Sequence, residues 1–86
     1  MSEEDIRNTI SEIIVNHQLS RYKFDLRNHK FSDNDLLSKD LNVDSLDVME
    51  TILSTEDALS VRIPDSKIKN LYTFGDLCKL FTESGA

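Results

Sequence analysis

The chain has a single cysteine, Cys78, so no disulfide can form within it. It has one proline and two glycines, too few for a flexible or extended linker. No stretch approaches the roughly 20 apolar residues that a membrane-spanning helix needs. The start, MSEEDIRNTI, has neither the basic opening nor the apolar run of a secretion signal. Positive charge is also scarce. Ten Lys and Arg stand against 16 Asp and Glu, for a net charge of −6 and a pI near 4.7. Such a chain is repelled by phosphate backbones and anionic membrane surfaces, where binding depends on neutralising charge with cations. These absences predict a soluble, cytoplasmic monomer that engages neither nucleic acid nor membrane and favours basic partners.

What is present fits a single small domain spanning residues 1–86. A chain of this length buries only about 60–65% of the surface its unfolded form exposes, which leaves little space for a deep pocket with its own catalytic shell. A binding, carrier or adaptor module is therefore expected ahead of an enzyme.

Apolar periodicity predicts an all-α fold. Ile6, Ile10, Ile13 and Ile14 recur at helical spacing over about residues 3 to 18, with Ser2 and Asp5 in the pattern of a capping box. Residues 19 to 40 show no sustained period. Their Tyr22, Phe24, Leu26, Phe31, Leu36 and Leu37 predict an ordered loop folded over one side of the core. From Ser45 to about Leu59 the pattern is helical again. Asp47, Glu50, Ser54 and Asp57 fall on one acidic stripe, opposite a core face of Val48, Met49, Ile52 and Leu59, with Leu46 and Leu53 at the stripe's edge. Pro64 and then Asp65 or Ser66 open a short helix predicted to end near Leu71. The last helix has a capping box at Thr73 and Asp76, a hydrophobic staple of Tyr72 and Leu77, and a buried face of Leu77, Leu80 and Phe81; Gly85 and Ala86 trail from its end. The sum is a four-helix bundle of three longer helices and one short helix, with a long first loop.

Ser45 stands at the start of the acidic helix, in LNVDSLDVME. Asp44 or Ser45 can serve as its N-cap, a contribution of about 1 kcal/mol. An exposed hydroxyl at a helix start also suits the attachment of a phosphate-linked group, since that end of a helix favours negative charge. No general base is encoded beside it. His17 and His29 lie in other segments, and DSL is not the G-x-S-x-G elbow of a hydrolase, so a separate enzyme would have to modify the serine. His17, His29 and Cys78 have no metal-ligand spacing, and no intrinsic metal is expected. Arg21, Lys23, Arg27, His29 and Lys30 make a locally basic, solvated loop.

Residues 40 to 65, DLNVDSLDVMETILSTEDALSVRIPD, resemble the acyl carrier protein family, whose members share a D-L-G-x-D-S-L-D core, an acidic helix and an I-P-D turn. The resemblance implies that Ser45 receives 4′-phosphopantetheine from coenzyme A through a magnesium-dependent phosphopantetheinyl transferase, with acyl cargo held as a thioester on the arm. It implies that Asp44 assists at the attachment site. It implies that Asp47, Glu50, Leu53 and Asp57, with Leu46 and Met49 as apolar contacts, face acyl-activating, synthase or transferase enzymes through basic docking patches.

Four positions depart from the family pattern. Asn42 replaces the usual glycine, Thr51 and Thr55 replace aliphatic residues of the acyl pocket, Leu59 replaces an aromatic, and the first loop is long. These departures point to a specialised fatty-acid or secondary-metabolism carrier. The alternatives are an aminoacyl or peptidyl carrier, or an unmodified helical adaptor that docks through its acidic face.

Overall fold

Three short polar side chains decide where the helices begin. Ser2, Asp44 and Thr73 each accept a hydrogen bond from the backbone N–H three residues on, at Asp5 (3.1 Å), Asp47 (3.0 Å) and Asp76 (3.1 Å). The helices that follow are α1, Glu3–Tyr22, α2, Ser45–Leu59, and α3, Phe74–Glu83. At α2 and α3 the capping box is closed in both directions, since Asp47 and Asp76 accept in return from the N–H groups of Asp44 and Thr73. The fourth element is a single 3-10 turn, Asp65–Lys67. The computed structural model describes residues 1–85; Ala86, expected to trail from α3, lies outside the described residues.

The all-helical prediction holds, and four local expectations are corrected. α1 runs four residues past 18, because it ends only where Lys23 turns left-handed (φ 54°) and its N–H closes back onto Leu19 O (3.1 Å). Its buried stripe is Ile6, Ile10, Ile14 and Gln18, with Ile13 only half-buried. The short helix predicted to reach Leu71 stops at Lys67. Pro64 precedes it without a side-chain cap, and Asn70 is left-handed (φ 59°). Tyr72 is 67% exposed, so the start of α3 is held by its capping box and not by a staple onto Leu77.

The connection over residues 23–44 covers the bundle with fewer of its apolar side chains than expected. Leu26 and Leu37 are buried and Phe31 packs against the Phe74 ring at 5.0 Å, whereas Tyr22, Phe24 and Leu36 remain exposed. Its far end is pinned to the start of α3 by an isolated antiparallel bridge between Leu36 and Thr73. Phe74 N–H donates to Asp35 O (2.9 Å) and Gly75 N–H to Asp33 O (3.1 Å). Arg7 from α1 reinforces this seam, pairing with Asp33 while its guanidinium lies 5.3 Å from the Phe74 ring centre.

Gly75 is required by this close approach. A Cβ there would lie 2.9 Å from Asp33 Cβ and 3.0 Å from its carbonyl oxygen. Helix propensity alone favours Gly75→Ala. The contact with the Asp33 backbone reverses the sign, and the substitution is expected to destabilise the domain by about 1–3 kcal/mol, as overpacked sites do. A urea melt that shows Gly75→Ala to be as stable as the parent, or more so, removes this account of the seam.

Candidate functional site

α2 begins where the chain leaves the long connection, and the approach is fixed residue by residue. Asn42 is left-handed (φ 59°), a conformation that asparagine tolerates better than most residues, so it can stand in for glycine. The buried Gln18 side chain of α1 donates its amide hydrogens to Leu41 O (3.3 Å) and to Asn42 O. Val43 N–H donates to Leu37 O (2.6 Å). Asp44 then caps the helix in extended conformation, and Ser45 is the first helical residue, with its side chain in solvent.

The carboxylate of Asp47 lies directly below this turn and is only 3% exposed. It accepts from Asp44 N–H (3.3 Å) and, through both oxygens, from the Tyr22 hydroxyl at 2.9 and 3.0 Å. That hydrogen bond, aided by burial, holds the Tyr22 phenol above its ordinary range, so it remains a donor at neutral pH. One turn along α2, Glu50 is paired with Arg21. Gln18, Arg21 and Tyr22 share a face of α1 at i, i+3 and i+4, and together they grip the segment from Leu41 to Glu50 that carries Ser45.

The acidic stripe read from the sequence is therefore split. Asp57 faces solvent, but Asp47 is turned inward against α1 and Glu50 is half-covered, so neither is the free docking carboxylate that was expected. The core face is correspondingly rotated. Thr51, Ile52 and Thr55 are buried, Val48 and Leu59 are half-buried, and Met49 is exposed where it was expected in the core. Thr55 satisfies its hydroxyl on its own helix, donating to Thr51 O at 2.7 Å, which lets a polar residue occupy an apolar face. Leu46, Met49 and Leu53 are left as an exposed apolar strip.

Beside Ser45 lies a cleft of about 550 Å³. Val43, Val48, Met49, Ile68, Leu71 and Tyr72 give it a mostly apolar wall, with Asp44, Ser45, Ser38 and Lys69 among its polar lining. Thr51 and Thr55 do not line it. Nor does either histidine serve Ser45: the His17 ring is 3.5 Å from the Ser54 hydroxyl, and His29 pairs with Asp35 at 2.8 Å. In the basic loop Arg21 pairs with Glu50 and Arg27 with Asp25, and the His29 ring contacts Asp35. Among the described residues no three His, Cys, Asp or Glu side chains gather as metal ligands, and no helix is long and apolar enough to cross a membrane. Cys78 is buried in α3, and that burial pushes its thiol up to about 12 despite the opposing charge of Arg7.

Comparison with known proteins agrees with this geometry. Residues 23–81 match the family profile described as a phosphopantetheine attachment site. The acyl carrier protein of Lactobacillus acidophilus is 34% identical over 76 residues, spanning 88% of each chain. That of Acidothermus cellulolyticus is 39% identical over 77 residues, 88% of this chain and 83% of its own. That of Kineococcus radiotolerans is 36% identical over 75 residues, 87% and 85% of the two chains.

The Tyr22 contact is open to test. Tyr22→Phe removes one donor from a buried carboxylate while keeping the ring, and is expected to lower the midpoint of unfolding, by a modest amount because water can reach the half-exposed phenol position. Chemical denaturation of the two proteins measures it. Equal midpoints would mean that Asp47 does not depend on Tyr22.

Proposed function

The chain belongs to the acyl carrier protein family, and on that premise we propose that Ser45 is the residue that bears its prosthetic group. The protein is a carrier and not a catalyst, and the group that defines the family is a covalently attached 4′-phosphopantetheine. When bound, that group supplies a terminal thiol on which acyl cargo is held as a thioester. The domain supplies attachment, shielding and recognition. We take residues 1–86 as one carrier unit.

The observation that carries this reading is the setting of Ser45, an exposed hydroxyl on the first residue of a 15-residue helix. A phosphodiester at that point is favoured by the positive end of the helix dipole and by backbone N–H groups that have no partner within the helix. Modification breaks the Ser45 O–H bond as Oγ bonds to the pantetheine-bearing phosphorus of coenzyme A, while the pyrophosphate P–O bond to that phosphorus breaks and adenosine 3′,5′-bisphosphate leaves. With both histidines engaged elsewhere, the proton is taken up by a separate transferase. Asp44 stands next to Ser45 with one carboxylate oxygen already holding Asp47 N–H, so it orients the turn and leaves its other oxygen for that enzyme and its metal.

The adjoining cleft fits the cargo end of the role. Its volume of about 550 Å³ is within the range of small-molecule sites, and its apolar wall suits a hydrocarbon chain folded back against the protein. Thr51 and Thr55 are buried on the core face of α2 and do not line this cleft. The reading as a specialised fatty-acid or secondary-metabolism carrier rests on Asn42, Thr51, Thr55, Leu59 and the long 23–44 connection. Partners in this reading are the transferase and acyl-activating, synthase or transferase enzymes with basic docking patches, drawn by a domain of charge −6.

Intact mass after incubation with coenzyme A, magnesium and a phosphopantetheinyl transferase tests the assignment. The wild type is expected to gain one phosphopantetheine and folded Ser45→Ala none. A folded wild type that stays unmodified with its native transferase, or a Ser45→Ala that is modified, returns Ser45 to the role of a helix-start residue.

A further inference from the structure

Residues 40–61 contain acidic side chains and no lysine or arginine, so from the sequence this stretch presents one sign of charge. The fold changes that. It brings Arg21, 29 positions earlier in the chain, onto Glu50 through two guanidinium nitrogens and both carboxylate oxygens. Tyr22 next to it occupies both oxygens of Asp47. Two of the carboxylates that flank the Ser45 turn are thereby engaged by α1 before any partner arrives.

The two contacts differ in depth. Asp47 is 3% exposed and structural. The Arg21 and Glu50 side chains are 43% and 27% exposed, so water and an incoming cation can reach the pair, and an exposed pair of this kind is only weakly held. We infer that Arg21 is a specificity-determining residue, one that sets how strongly a basic partner engages the α2 face next to Ser45. A partner that would use Glu50 has to displace the Arg21 guanidinium, and it also meets a positive charge at the edge of the surface it approaches. Partners that rely on the neighbouring apolar strip of Leu46, Met49 and Leu53 are not penalised in this way. Arg21 thus lowers the affinity of basic docking faces relative to apolar ones.

The inference rests on Ser45 as the attachment site, and the test separates the two. The measurement is the initial rate of phosphopantetheine transfer by a transferase with a basic docking face, as a function of carrier concentration and salt. Arg21→Gln is expected to lower the KM for the carrier about two- to fivefold, the range set by an exposed ion pair, with kcat unchanged and a steeper dependence on salt. Arg21→Lys, which keeps the charge, stays near the wild type. Arg27→Gln controls for net charge: Arg27 pairs with Asp25 two residues away and lines a different cleft with Ser11, Glu12 and Val15, so its KM stays at the parent value. A merely structural role for Arg21 gives the opposite sign, a KM unchanged or raised together with a lower melting temperature. That result, or an equal fall in Arg27→Gln, overturns the inference while Ser45 stands. A folded wild type that takes up no phosphopantetheine at Ser45 overturns both.

Discussion

A carboxylate taken out of water accepts hydrogen bonds but cannot give one, so it has to be surrounded by donors. Asp47 imposes that condition on this domain. One donor is the N–H of its own helix cap, which fixes Asp44 as the N-cap and Ser45 as the first residue of α2. Another is the hydroxyl of Tyr22, which requires α1 to continue at least that far and to stop immediately afterwards, at the left-handed Lys23. The long connection must then return to the same place, and it does so through a second left-handed residue, Asn42, whose carbonyl and that of Leu41 are held by Gln18. The last turn of α1, the left-handed residues Lys23 and Asn42 and the first residue of α2 all converge around one buried acid.

This arrangement makes the base of the Ser45 turn rigid and its outer surface free. Everything below the serine is hydrogen-bonded to α1 or to the loop, whereas Asp44, Ser45 and Leu46 face solvent. The two sides of the helix start then differ in character. One opens on an apolar cleft against Ile68 and Leu71, the other carries Leu46, Leu53 and the remaining acids, and Met49 borders both.

Much of this was legible from side-chain chemistry alone. The start of α2, capped by one of the two residues the sequence offered, Asp44 and Ser45, and the start of α3, from Thr73 and Asp76, are legible because a cap is a local bond whose partners lie three residues apart. The acidic Ser45 segment and the I-P-D turn carried the family resemblance for the same reason. The sequence misled where a position's meaning depends on a distant neighbour. A helical wheel with threonine counted as polar turns the core face of α2 toward Met49; Thr55, with its hydroxyl satisfied by its own helix, behaves as a core residue and carries the buried sector round to Asp47. Nothing local to Gln18 announces that two carbonyls 23 and 24 positions away need its amide. The extra turn of α1 was missed with it.

The single cysteine has a consequence for what the carrier can hold. A thioester passes from one sulfur to another only when the second sulfur is present as thiolate and within reach. Cys78 is enclosed in α3, with its thiol pushed up to about 12, so at neutral pH it is neither ionised nor accessible. Cys78, the single cysteine of the chain, therefore offers no thiolate to a thioester held on the prosthetic group of this family.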